Sequence, residues 1–174
     1  LILEVLQAIV AGDLPHPPLE VALTAQEEAG LLGAREVQPR LVARRGISFD
    51  VAGPAGKISI GAPWSQRFKA VVHGRAAHAG SQPEQGISAI LVAAEALTRM
   101  PLGLVDAATT ANIGLIQGGT SVGIIPDRAE LQGAVNSRSA EALIAQVQAM
   151  TGALQAAASS AGAKVDIDTS RAFD

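Results

Sequence analysis

Arg67-Phe-Lys-Ala-Val-Val-His73 is the stretch from which the fold of this 174-residue chain is read. Phe68, Ala70 and Val72 fall on one side of an extended backbone, and Arg67, Lys69 and His73 on the other, which is the period of a half-buried strand. After it, Gly74 to Pro83 is rich in small residues and reads as a loop. Pro83-Glu84 opens a helix that runs through Met100 and is closed by Pro101 and Gly103. Thr109 to Gln117 is a second strand, Gly118-Gly-Thr-Ser121 a turn, and Pro126 to Val135 a third strand. Ser139 caps a second helix running to Ala161. Gly162 ends it, and Ala163 to Asp168 makes the last strand. From residue 62 onward the order is β-α-β-β-α-β, a split βαβ or ferredoxin-like α+β arrangement.

Upstream the pattern differs. Leu1 to Ala11 carries helical stripes and stops at Gly12. Asp13-Leu-Pro-His-Pro-Pro18 is a loop, since its prolines fit neither a helix interior nor a central strand, and His16 is a solvated loop residue. Leu19 to Ala25 is apolar on nearly every residue, as a buried parallel strand is. Glu27 to Val37 reads as a short helix that Pro39 stops. Leu41 to Phe49 is extended and leads to Asp50, Gly53-Pro54 turns the chain, and Lys57 to Ile60 is a further strand. Helix and strand alternate, so residues 1–61 are expected to be part of an α/β domain with a mostly parallel sheet. The chain starts in mid-helix without Met, which is the expectation for a piece of something longer.

Composition narrows the function. A net charge of -3 argues against nucleic acid or an anionic membrane as partner. The absence of Cys removes disulfides, thiolate zinc sites and cysteine nucleophiles together. No stretch reaches the run of apolar residues that spans a bilayer, and a cytoplasmic location is expected. Any metal would have to be held by His, Asp and Glu.

The chemistry-bearing stretch is Val21-Ala-Leu-Thr-Ala-Gln-Glu-Glu-Ala-Gly-Leu-Leu-Gly33. Two adjacent carboxylates at a strand's end are costly to desolvate unless a cation or proton is shared. Alternatively, two Glu in the first turn of a helix simply complement its dipole. Gly118-Gly119 is a turn without phosphate-binding character, because no P-loop Lys follows. His73, at a strand end before a Gly, is structural.

Thr24-Ala-Gln-Glu-Glu-Ala-Gly-Leu-Leu-Gly-Ala34, Ser48-Phe-Asp50, His73-Gly-Arg-Ala-Ala-His-Ala-Gly80, Pro83-Glu-Gln-Gly-Ile-Ser-Ala-Ile90, Thr110-Ala-Asn-Ile-Gly114, Gly118-Gly119, Ile125-Pro-Asp127 and Ser137-Arg-Ser139 stand in one order along the chain. Together they resemble the dinuclear zinc exopeptidase family that includes peptidase T, carboxypeptidase G and succinyl-diaminopimelate desuccinylase, the peptidase T-like branch above all. The resemblance implies a catalytic α/β domain in residues 1–61, interrupted by a ferredoxin-like lid in 62–174 that forms a homodimer. It implies Glu27 as general base, Glu28 and Asp50 as ligands of two different zinc ions, and His78 as a group that reaches the partner subunit's active site to stabilise the tetrahedral intermediate. Arg138 would bind the terminal carboxylate of a small peptide or N-acyl amino acid. A zinc-bound water has its pKa lowered to about 7, and a guanidinium's fork suits a carboxylate. Taken without the family, Asp50 is a turn residue, His78 a loop histidine bonded to backbone and Arg138 a surface charge beside a cap.

The family's His-x-Asp motif, bridging Asp and last His ligand have no counterpart within Leu1 to Asp174. Glu28 and Asp50 alone would hold zinc weakly, so the chain as given is expected to be inactive. Val122-Gly-Ile-Ile-Pro126 departs from the family's Thr-Asn-Ile-Val-Pro, replacing a substrate-contacting amide by Gly123. Asn136 stands where a Glu commonly precedes the Arg. The expected activity is zinc-dependent amide hydrolysis by an aminopeptidase. The alternatives are an N-acyl amino acid amidohydrolase of the same family and a dimerisation or binding module without chemistry.

Overall fold

The computed structural model describes residues 1–28, 30–49 and 52–173, with side chains through 171. Two compact units form, Leu1–Ile58 and Ser59–Asp174.

The second unit is built on β1 (Trp64–His73), β2 (Ala77–His78), α3 (Ala89–Arg99), β3 (Gly103–Leu104), β4 (Thr109–Gly118), β5 (Ile124–Ile125), β6 (Arg128–Ser137), α4 (Ala140–Ala161) and β7 (Lys164–Phe173). Its sheet runs β3-β4-β6-β1-β7, and every pair in it is antiparallel. β1 pairs along its whole length with β6, from Trp64 opposite Ser137 to His73 opposite Arg128. The β1-α3-β4 and β6-α4-β7 crossovers interleave, which is the split βαβ topology the strand and helix order predicts.

α3 and α4 cover one face of this sheet. Ala89, Val92, Ala93 and Ala96 of α3 and Leu143, Val147, Met150 and Leu154 of α4 join Phe68, Ala70, Val72, Leu131 and Val135 in one core. The many alanines at the contact let α3 lie close to the strands, because small side chains shorten the helix-to-sheet distance. Ser139 accepts from the Ala142 amide at 3.2 Å as the N-cap of α4. At its other end Gly162 sits at φ 67°, the left-handed conformation that turns the chain back. A buried hydroxyl pair, Thr109 Oγ1 to Ser137 Oγ at 2.9 Å, ties β4 to β6 where the core reaches the sheet's end.

Boundaries shift where one backbone group decides. α3 starts at Ala89, capped by Ser88 Oγ, and Pro83–Gln85 is only a 3-10 turn. Between them Gly86 is extended, and a Cβ there would lie 2.4 Å from Ile125 Cδ1. The third strand begins at Arg128, two residues after Pro126, which has no amide to donate. β7 continues to Phe173 because β1 offers a partner that far.

On the sheet's open face, Glu130 is held by three donors: Arg128 Nη2 at 2.7 Å, Gln132 Nε2 at 2.8 Å and Lys69 Nζ at 3.1 Å. The Arg128 hydrogen bond first, then those of Gln132 and Lys69, pull its carboxyl down to about 2. A depressed carboxyl contributes stability that is present above its unfolded pKa and lost as pH falls through the folded one. Acid titration of stability should therefore show a loss between about pH 5 and about pH 2. Glu130→Gln should flatten that limb, and an unchanged limb in the variant would remove Glu130 from the acid response.

The first unit contains α1 (Ile2–Ala11) and α2 (Leu32–Val37), the latter continued by a 3-10 turn over Gln38–Arg40. The strands expected at residues 19–25, 41–49 and 57–60 form no ladder among the described residues. A strand exists only against a neighbour. Here the Glu20 carboxylate takes the amides of Val42 and Ala43, at 2.9 and 2.6 Å, that a neighbouring strand would otherwise take. No described residue of this unit is buried, and Leu3, Val10, Leu23 and Ile47 are well exposed. No helix among the described residues is long and apolar enough to cross a membrane.

Candidate functional site

Glu27 and Glu28 do not begin a helix. α2 starts five residues after Glu27, with Leu31 as its N-cap and no acidic residue in its first turn, so the helix-dipole reading of the pair does not apply. The reason is backbone conformation. Gln26 (φ 58°), Gly30 (φ 98°) and Leu31 (φ 61°) all lie in the left-handed half of conformational space. For Gln26 and Leu31 this costs about 1–3 kcal/mol each. The turn is closed through the Glu27 carbonyl, which accepts the amides of Gly30 at 3.0 Å and Leu31 at 2.9 Å. Gly33 completes it, for a Cβ there would lie 2.5 Å from the Ala25 carbonyl oxygen. Both carboxylates are exposed, and neither forms an ion pair among the described residues. Two strained residues, Gln26 and Leu31, flank the exposed carboxylates, and such backbone strain is common at functional turns. Asp50 lies outside the described residues.

In the second unit, His78 is held by its own loop and by the β4–β6 connection. β2 and β5 pair as His78 opposite Ile124 and Ala77 opposite Ile125, and the Ala79 amide donates to the Gly123 carbonyl at 2.9 Å. Arg75 braces the loop base, bridged through its backbone to Ile87 and bonded through Nε to the Gln85 carbonyl. The His78 ring accepts at Nδ1 from the amides of Gly80 (3.1 Å) and Ser81 (3.2 Å). Its other nitrogen is left for solvent or a ligand, since the residue is exposed. Gly123 has open space where a side chain would stand.

Arg138 follows β6 directly. Its amide donates to the Ala108 carbonyl at 3.1 Å. Ser137 on one side is fixed by Thr109, and Ser139 on the other caps α4. The backbone is thus pinned while the guanidinium, exposed, has no ion pair among the described residues.

The predicted residues therefore fall into groups. Glu27 and Glu28 share one turn of the first unit. His78 and Arg138 belong to the second unit but lie at opposite ends of it. His78 extends beyond the His73–Arg128 end of the β1–β6 ladder, and Arg138 follows its Trp64–Ser137 end. Nine residue steps of strand separate those ends, about 30 Å at 3.3–3.4 Å per residue. Among the described residues no group of three His, Cys, Asp or Glu could hold a metal ion. The backbone bonding expected of His78 as a loop histidine is present, and the structure identifies its partners as the Gly80 and Ser81 amides.

Comparison with known proteins matches the fold. Residues 64–161 match the family model of the peptidase dimerisation domain of the M20 group. A tripeptidase from Staphylococcus aureus superposes with a TM-score of 0.92 at 38% identity, over 99% of this chain and 46% of its own. The aminopeptidase PepT of Bacillus cereus gives a TM-score of 0.88 at 35% identity, again over 99% of this chain and 46% of its own. An uncharacterized protein, YqjE, of Bacillus subtilis is 36% identical over 166 residues, 95% of this chain and 45% of the relative. The chain spans about half the length of these relatives. With its ferredoxin-like unit matching over residues 64–161, the chain belongs to the M20 peptidase family and carries that family's dimerisation domain.

Proposed function

We propose that this chain is the dimerisation lid (62–174) and part of the catalytic domain (1–61) of a zinc-dependent aminopeptidase that cleaves small peptides, working as a homodimer. Glu27 takes the proton of the attacking water, Arg138 grips the substrate's terminal carboxylate, and His78 donates to the oxyanion in the partner subunit's site. Glu28 and Asp50 would be metal ligands. Two carboxylates fall short of the four-coordinate set zinc requires, and the zinc assignment rests on the family.

The observation that carries the shared-site reading is the distance of about 30 Å between the two ends of the β1–β6 ladder. A tripeptide, fully extended, reaches only about 10–11 Å. His78 and Arg138 of one protomer thus cannot hold one small peptide, whereas two protomers related by a two-fold can each supply the residue the other lacks. The edge of β4 favours a second copy as well. Among the described residues β3 pairs with Thr110 and Ala111 alone on it, Leu115 and Ile116 farther along are exposed, and such edges are normally covered.

The test is complementation in a polypeptide carrying the full length of the relatives. His78→Ala and Arg138→Ala should each be inactive on tripeptides. Mixed and reassociated, they should recover about a quarter of wild-type activity, because half the dimers are hybrid and each hybrid has one intact site. No recovery, with sedimentation showing hybrid dimers, would rule out the shared site. A dimer without activity even in the wild type would instead favour a binding module.

A further inference from the structure

We propose that the Gly80 and Ser81 amides act as a positioning clamp that fixes His78 in a single tautomer, with the hydrogen on Nε2, so that the ring serves as a hydrogen-bond donor and not as a base or an Nδ1 metal ligand.

The argument starts from what a backbone amide can do. An N–H only donates, so a ring nitrogen facing two of them must offer its lone pair. In a neutral imidazole, the nitrogen that accepts lacks the hydrogen, and the other nitrogen carries it. His78 Nδ1 faces the Gly80 amide at 3.1 Å and the Ser81 amide at 3.2 Å. The opposite tautomer would aim an N–H at two N–H groups and forfeit both bonds. Two such bonds together favour the Nε2–H form by roughly fivefold or more. The clamp is itself braced. The Gln82 amide returns to the His78 carbonyl at 3.1 Å, closing the 78–82 turn, while the Ala79 amide holds the Gly123 carbonyl at 2.9 Å.

The other two histidines provide internal contrast. His16 Nδ1 lies 2.7 Å from the Pro17 carbonyl oxygen, which only accepts, so its neutral ring carries the hydrogen on Nδ1. His73 Nε2 faces Asp166 Oδ2 at 2.9 Å, so its hydrogen lies on Nε2. The three rings thus cover both tautomers.

The chemical consequence rests on the function proposed above. A ring whose outward nitrogen carries a hydrogen can stabilise a developing oxyanion but cannot take a proton from water through that atom. Base duty then falls to Glu27 alone.

The experiment reads the tautomer directly, without substrate, so its outcome is independent of whether the assembled protein is a peptidase. The 174-residue chain, labelled with 15N-histidine, is examined by long-range 1H–15N correlation near pH 8.5, about two units above an ordinary imidazole pKa. His78 is assigned by its disappearance in His78→Ala. The expected result is one His78 tautomer, hydrogen on Nε2, in at least about fivefold excess. Gly80→Ala retains the amide, and its Cβ would sit 3.5 Å from His78 Cε1, an ordinary contact, so its spectrum should be unchanged. Ser81→Pro removes one donor and should lower the Nε2–H excess by several-fold. A His78 ring carrying its hydrogen on Nδ1, or averaging between tautomers in the wild type, would overturn the proposal whether or not Ser81→Pro folds.

Discussion

Glu27→Ala, introduced into a polypeptide of the relatives' full length, should lower kcat by about 10²–10⁴-fold, the range general-base assistance supplies, with metal content unchanged. The turn that carries Glu27 makes the result interpretable. Its closing hydrogen bonds from Gly30 and Leu31 go to the Glu27 main-chain carbonyl, so the side chain can be changed without removing them. Glu27→Gln, which keeps the shape and deletes the proton acceptor, should fall as far as alanine. KM should change far less than kcat, because an interaction made only as the proton moves is felt in the transition state. A Glu27→Gln variant that retained wild-type kcat would exclude Glu27 as the base. One that lost metal instead would exchange the assignments of Glu27 and Glu28.

The largest effect on stability is expected at Phe68, 1% exposed at the centre of the sheet's covered face. Phe68→Ala should destabilise the second unit by ~3–5 kcal/mol, the cost of lost transfer energy plus the cavity left between sheet and helices. Set against a typical domain stability of ~5–15 kcal/mol, that loss leaves the unit close to unfolding. The single tryptophan, Trp64 at the start of β1, reports on the same unit. Its fluorescence in urea should therefore give a midpoint far below wild type with an unaltered slope. Val122→Ala, fully exposed in the β4–β6 connection, is the control and should stay within about 0.5 kcal/mol. Equal midpoints for the two variants would mean that Phe68 is not part of the core.

Much of the second unit was legible because its elements follow local rules. The alternation through Phe68, Ala70 and Val72, the Ser139 cap and the Gly162 stop each name a boundary that needs no distant residue. α3 starts later than expected because Pro83-Glu84 imitates a helix opening but forms only a 3-10 turn, while the true cap is Ser88, which accepts from the Leu91 amide. The first unit was read less well. The apolar run from Leu19 to Ala25 has strand character, but a strand forms only when another strand offers its amides, and here Glu20 meets that need for Val42 and Ala43. The candidate site residues could be named from the sequence only as residue types in an order that resembles a family. The left-handed backbone at Gln26 and Leu31, and the amides on His78, belong to conformation and leave almost no mark in residue type.

The register between β1 and β7 has a consequence for how such a unit is carried in a longer polypeptide. Ser65 stands opposite Phe173, so the start of the unit's first strand and the end of its last lie side by side, about 5 Å apart at the level of neighbouring strands. A host domain interrupted at that point sees little more than a loop whose two feet are one strand spacing apart. Closing it costs the host almost none of the entropy that joining distant points would cost. A unit whose first and last strands pair has the geometry of a plug-in insertion, one that can be lengthened, exchanged or lost at a single junction.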